Sequence, residues 1–369
     1  MKLIKNKRGI SRSIDFLLSF ILFMVFVGSM LFITYSINVD LFATPVSRPS
    51  ETADAIARRM FSLEGLDTLS NSNWGTYFQP LTSFGLSDGW HSYYRLDPNK
   101  IARINPLLQN TGSVFLSNVI LSYDTIHSFL DLDSTEIFSL RFEMLLKVQI
   151  SLAVVSNTLR INAVVTNQDD YSPTIAIVHF YALSLTSRTF FSSGSTSVQT
   201  NGQATWFFNP SSQNNYLFFA VAQLGAGCGV SNFIFSTSSG TTPTTIPTQV
   251  PALLLQNRIA YYSTADDPTR VVYVGYPFND SFSAFTSSFD SGTNTVNVIP
   301  SQSLPLNFLF SVIYEPQNNV FAWECFPTIF NENELAPPSY PALEPLSRTS
   351  DLISCGNCVL RAEVKYWRF

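Results

Sequence analysis

Between Phe16 and Ile33 the chain is apolar except for Ser19, Gly28 and Ser29. As a helix, this run spans roughly 27 Å, close to the thickness of a hydrocarbon core. The rest of the chain is then expected on one side of a membrane. Lys2, Lys5, Lys7, Arg8 and Arg12 all precede the run, while Asp40 is the first charge after it and Arg48 the next basic residue. The positive-inside rule places such an N-terminus in the cytoplasm and exports the body beyond the run. The expected location is the cell membrane, in a single pass with the C-terminal body outside, or an extracellular filament.

Three readings of the segment stay open. A secretory signal has a shorter apolar region and a small-residue cleavage site; the nearest candidate, Ala43, runs at once into Thr44 and Pro45. A plain N-terminal anchor needs no processing. The third reading rests on the junction Lys7-Arg8-Gly9-Ile10-Ser11, which Arg12-Ser13-Ile14-Asp15 joins to the apolar run. That junction resembles the class III (prepilin) signal of archaeal type IV pilin-like proteins. The resemblance implies a peptidase cut after Gly9, leaving a helix that begins at Ile10 as the new N-terminus. It also implies that the helix first sits in lipid and later packs against its copies as a filament core. Asp15, at the edge of the apolar run, is the assembly candidate; otherwise it is an interfacial acid that stays hydrated.

Further pieces of the same resemblance come in order along the chain. Pro45 and Pro49 end one straight helix. A second helix restarts behind Ser50, with Ala53, Ile56, Ala57, Met60 and Phe61 on one face and Gly65 as its stop. Trp74, Phe84-Gly85-Leu86 and the helix start Leu96-Asp97-Pro98-Asn99-Lys100-Ile101 come next. Tyr123 to Phe142 then resembles a short helix leading into a first head strand.

From about Leu145 the hydrophobic period becomes two. Leu159, Ile161, Ala163 and Val165 alternate with Arg160, Asn162, Val164 and Thr166, as in a strand with one buried face. Strands at 175–182, 205–208, 216–223 and 233–236, with Asn201-Gly202 as a hairpin turn, predict an immunoglobulin-like sandwich. Residues 237–251 are nearly all Ser, Thr, Gly and Pro, the composition of a stiff linker and of glycan acceptors. Beyond it, 270–277, 294–300, 308–314 and 359–369 read as strands. The last alternates Leu360, Ala362, Val364 and Tyr366 with charged residues, so it is expected to return to an earlier sheet near 138–150. The expected class is α+β: an N-terminal transmembrane helix, then a mainly-β head. Its expected divisions are a basic leader (1–9), the membrane or pilin helix (10–44), a helical stalk and head entry (45–145), a sandwich (146–236), the linker (237–251) and a C-terminal β domain (252–369).

Four cysteines, Cys228, Cys325, Cys355 and Cys358, all fall in the body. Outside the cell they imply disulfides. Cys355-Gly356-Asn357-Cys358 also has the spacing of redox motifs and of zinc sites, and the four together form a complete thiolate set for zinc. Which pair joins is left open.

The sequence holds no nucleophile elbow and no phosphate-binding glycine loop. His91, His127 and His179 are too dispersed for a metal cluster. The acid pairs Asp131/Asp133, Asp169/Asp170 and Asp266/Asp267 read better as caps and turns than as calcium ligands. Asn279-Asp280-Ser281 is the single N-glycosylation sequon. Setting aside the five basic residues, Asp15 and Asp40 leaves 16 Lys+Arg against 24 Asp+Glu, a net −8. Such a surface disfavours nucleic acid and anionic lipid.

The reading is therefore a non-enzymatic structural protein without cofactors, a minor or tip subunit of a pilus-like filament. Its expected partners are a membrane, a prepilin peptidase and other pilin subunits. The alternative is an anchored receptor or adhesin for surface glycans or peptides, using Trp74, Trp90, Tyr93 and Tyr94.

Overall fold

The structure is a computed structural model. It describes residues 49–369 except 77–78, 90–94, 107–119, 213, 251, 256–257, 264–265, 277–280, 290, 298–308, 318, 327–333, 338–342 and 357. The described part belongs to a unit running from Ser50 to Phe369.

The chain enters through helix α1 (Pro49–Ser62) and the short strands β1 (Leu66–Asp67), β2 (Leu81–Ser83) and β3 (Arg95–Leu96), then helices α2 (Pro98–Ala102) and α3 (Tyr123–Phe129). Nine strands come next: β4 (Glu136–Met144), β5 (Leu146–Val155), β6 (Thr158–Asn167), β7 (Ile177–Ser184), β8 (Phe190–Ser197), β9 (Gln203–Phe208), β10 (Asn215–Leu224), β11 (Gly227–Val230) and β12 (Ile234–Thr237). The C-terminal part supplies β13 (Thr248–Val250), β14 (Ala252–Leu255), β15 (Arg258–Ser263), β16 (Asp267–Tyr276), β17 (Ser281–Phe289), β18 (Gly292–Asn297), β19 (Leu309–Glu315) and β20 (Val320–Phe326). It closes with the hairpin of β21 (Ser347–Cys355) and β22 (Cys358–Arg368).

Among the described residues the class is mainly β, which corrects the expected α+β class with its transmembrane helix. The longest helix, α1, has 14 residues and reaches only about 21 Å. No helix among the described residues is long and apolar enough to cross a membrane. The single-pass membrane location is corrected with it, because it rested on that helix. The run at 16–33 itself lies outside the described residues.

Side-chain alternation builds a stack of sheets. A nine-stranded sheet runs β3-β21-β22-β11-β10-β7-β8, with β4 beside β22 and β12 beside β10. One of its faces carries Phe180, Ala182, Phe218 and Ala220 and packs on Val148, Ile150, Ile161 and Val165 of the three-stranded sheet β5-β6-β9. The opposite face presents Tyr181, Leu183, Phe219, Leu360 and Val364 to a second core. Ala53, Ile56, Ala57, Met60 and Phe61 of α1 enter that core, with the Phe61 ring 6.3 Å from that of Phe142. Val271, Tyr273, Val312 and Phe321 of a five-stranded sheet, β13-β20-β19-β16-β17, join the same core. The neighbouring residues Val272, Val274, Ile313 and Ala322 point the other way, onto β14 and β15. One-residue alternation thus lets single strands serve two cores.

The final strand returns as its alternation predicts. β22 pairs antiparallel with β4 over its length, from Leu360 opposite Met144 to Arg368 opposite Glu136. The Ser/Thr-rich stretch after β12 has structure of its own: Thr237 N–H donates to Thr241 O at 2.8 Å, and β13 pairs parallel with β20.

Candidate functional site

The two chemistry-bearing motifs of the body, the Cys355–Cys358 hairpin and the Asp97–Lys100 helix start, lie on neighbouring strands. β3 runs parallel to the end of β21, with Leu96 opposite Cys355. At the hairpin tip Cys355 and Cys358 face each other across the turn, and Gly356 supplies the positive φ, +59°, that so short a turn requires.

Cys358 is bonded to Cys228 of β11, with Cα atoms 6.0 Å apart. Its place in the fold explains the choice. β11 and β22 meet in parallel at one register pair, Gly227 opposite Val359, and Val359 N–H donates to Ala226 O at 2.8 Å. The bridge reinforces a narrow seam between the sandwich strands and the C-terminal hairpin. It also removes the four-thiolate zinc set, since two of the four sulfurs are joined. Among the described residues, no group of three or more His, Cys, Asp or Glu converges as metal ligands.

Cys325 and Cys355 are buried thiols. Burial pushes the Cys355 thiol well above its usual range, and the Asp97 and Asp88 carboxylates push it further. A redox C-x-x-C needs the opposite, a thiolate favoured by a helix N-terminus; here the motif caps a β-hairpin.

The helix start is a closed lock. Asp97 caps α2 by accepting from Asn99 N–H at 2.9 Å, and Pro98 takes the first-turn position where a missing N–H costs nothing. This places Lys100, 1% exposed, inward. Its Nζ donates to Glu64 O at 2.7 Å and Ser87 O at 2.6 Å. Burial lowers its pKa to about 8, against the opposing pull of Asp97, Glu64 and Asp88. Trp74, fully buried, has Lys100 Nζ 5.7 Å and Arg103 Cζ 5.2 Å from its ring, and its Nε1 donates to Glu64 O at 2.9 Å. The Arg103 guanidinium donates to Trp74 O. Two cations and an indole therefore tie the end of α1, the Gly85–Ser87 segment and α2 together. With Lys100 enclosed, the cluster positions backbone and does not meet solvent-borne ligand.

Burial removes Trp74 from the ligand-binding aromatics expected from sequence. Trp90, Tyr93 and Tyr94 lie outside the described residues, as do the processing residues Lys7, Arg8, Gly9 and Ile10, the assembly candidate Asp15, His91 and the sequon residue Asn279. His179 is buried and stacks on Tyr181, ring centroids 6.4 Å apart. His127 Nε2 is 2.7 Å from Glu136 O. Asp133 N–H donates to Glu136 Oε2, and Asp170 accepts from Ser172 N–H, so the carboxylates of Glu136 and Asp170 shape these turns.

Glu324 escapes a reading by sequence alone. Its side chain is buried on β20, Oε1 accepting from Cys325 N–H at 2.9 Å and Oε2 from Asn105 Nδ2 at 3.3 Å. Burial raises its pKa to about 8, the Cys325 N–H bond pulling the other way. The only signal was a lone acid in the apolar run Val320-Phe321-Ala322-Trp323-Glu324-Cys325.

No family model and no curated protein matches this chain. Solved structures similar to parts of it include the hypothetical protein PH1083 from Pyrococcus horikoshii OT3, at 14% identity, TM-score 0.20, over 24% of this chain and 86% of that one. A segment of two fibronectin type III domains from chicken tenascin matches at 10% identity, TM-score 0.19, over 49% of this chain and 96% of that one. Similarity at this level carries no argument about function.

Proposed function

We propose that this protein is a structural or interaction protein, a minor or tip subunit of an archaeal type IV pilin-like filament, with an immunoglobulin-like sandwich in its head. The observation that carries the reading is the junction Lys7-Arg8-Gly9-Ile10, followed after Ser11–Asp15 by an apolar run. A peptidase cut after Gly9 frees the run from its basic leader and leaves it able to bury itself against copies. The Cys228–Cys358 bridge supports a working place in oxidising surroundings, where such bonds persist. Expression with the matching prepilin peptidase, followed by sequencing of the mature N-terminus, tests it: a start at Ile10 is expected, and a start at Met1 or near Thr44 overturns it. Filaments seen by electron microscopy with the gene, and missing or altered without it, are the second expected result.

The second reading, a surface glycan binder, is favoured by a solvent-facing sheet surface that carries cations and aromatic rings.

A further inference from the structure

The sheet β5-β6-β9 buries one face in the sandwich and leaves the other to solvent. None of its three strands contains an aspartate or glutamate, in a chain whose formal net charge is −5. The outward positions instead hold two stations, each pairing a cation with an exposed aromatic ring. At one end Lys147 Nζ lies 4.9 Å from the centroid of the Tyr171 ring, which is 59% exposed. At the other, Arg160 of β6 sits directly opposite Phe207 of β9, also 59% exposed. The stations are separated by six residues along β5, from Lys147 to Ala153, the residue facing Arg160, or roughly 20 Å.

Between them the face is neutral and rich in hydrogen-bonding groups. Asn162 and Thr205 are cross-strand partners, Thr205 Oγ1 donating to Asn162 Oδ1 at 3.0 Å, which leaves the Asn162 amide N–H₂ available to a ligand. Gln149, Ser151 and Gln203 are exposed alongside. Asp169 and Asp170, directly before Tyr171 in the turn after β6, have partners of their own: Asp169 pairs with Arg361 and Asp170 accepts from Ser172.

We propose that this face binds an acidic polysaccharide. Guanidinium and ammonium groups take carboxylates by charge-assisted hydrogen bonds. The Tyr171 and Phe207 rings pack on the C–H faces of sugar rings, covering apolar surface that is otherwise wet. Amide and hydroxyl side chains between the stations answer sugar hydroxyls. Nucleic acid fits less well: single strands are held by stacking successive bases on neighbouring rings along a basic groove, and the two rings here stand roughly 20 Å apart. Binding at this face is independent of filament assembly, so a failure of either leaves the other testable.

The test is binding of the full chain to alginate, a polyuronate, by affinity electrophoresis and calorimetry, with dextran and single-stranded DNA as parallel arms. Alginate is expected to bind and to weaken with salt; dextran and DNA are not. Arg160→Gln and Phe207→Ser are each expected to weaken alginate binding about tenfold, with the melting temperature unchanged, whereas Leu224→Ser, at an exposed position elsewhere, is expected to leave it unchanged. Absence of alginate binding overturns the proposal, as does equal binding by the Arg160→Gln/Phe207→Ser double variant. DNA binding as tight as alginate binding overturns it in favour of a general polyanion surface.

Discussion

Cys228 and Cys358, 130 residues apart in sequence, are joined where strands β11 and β22 touch through a single register pair. A loop of that size gives a bridge worth about 5 kcal/mol on chain-entropy grounds, and measured values fall in a range of about 2–5 kcal/mol. Cys228→Ala or Cys358→Ala is therefore expected to lower unfolding stability by about 2–5 kcal/mol, read from urea midpoints under non-reducing conditions. Peptide mapping is expected to recover the Cys228–Cys358 pair, with Cys325 and Cys355 alkylated only after denaturation. Recovery of a Cys355–Cys358 pair would contradict the structure.

Lys100 is predicted to hold the entry region together. Lys100→Met keeps the stem but removes the donor to Glu64 O and Ser87 O; Glu64 O still accepts from Trp74 Nε1, while the buried bond to Ser87 O is lost. The expected loss is about 2–4 kcal/mol, accompanied by a shift in Trp74 fluorescence as a cation leaves its ring. An unchanged denaturation midpoint would remove the lock from this account.

Glu324 sets a pH dependence whose sign is defined. Its folded pKa, about 8, lies above the ordinary 4.5 because burial disfavours the carboxylate. The folded state therefore holds a proton that the unfolded chain releases. Its contribution to stability is fully present below about pH 4.5 and is lost as pH rises through about 8. Glu324→Gln is expected to flatten this decline, by a few kcal/mol at most, in melting curves recorded from about pH 5 to 9. Lys100 acts in the opposite sense: with its pKa lowered to about 8, it favours the folded state more as pH rises from there towards 10.5.

Gly65, three residues past the last residue of α1, has φ +66°, and a Cβ there meets Gly85 N at 2.7 Å and Trp74 Nε1 at 2.8 Å. Gly65→Ala is expected to cost about 1–3 kcal/mol through backbone strain, with the crowding adding to it. Calorimetric melting measures it, and a neutral result would mean that the Leu63–Gly85 segment relaxes freely.

Much of the fold was legible because it is written in near-neighbour patterns. The apolar face Ala53, Ile56, Ala57, Met60 and Phe61 marked α1, and Asp97-Pro98 marked the start of α2. Alternation from Leu159 to Val165 marked β6, and alternation from Leu360 to Tyr366 marked β22 and its return. Strand β8 was not read, because Phe190–Ser197 has only serine, threonine and glycine after its two phenylalanines and so carries no hydrophobic period. Strand β20 was missed for the opposite reason: a nearly continuous apolar run looks alike in helix and strand.

The sequence by itself determined that the chain has a basic leader and apolar run at its start, a β-rich body, and four cysteines in that body open to disulfide bonding or to zinc. Tertiary structure alone decided which pair, that Trp74 is buried and not a ligand platform, that Glu324 sits out of water, and that Lys147 and Arg160 share one face of a sheet whose strands carry no acid. The physical reason is range. Periodicity and capping are set within a few residues along the chain, while four cysteines allow three pairings, and burial depends on strands that meet only after a separation such as the 130 residues between Cys228 and Cys358 has folded back.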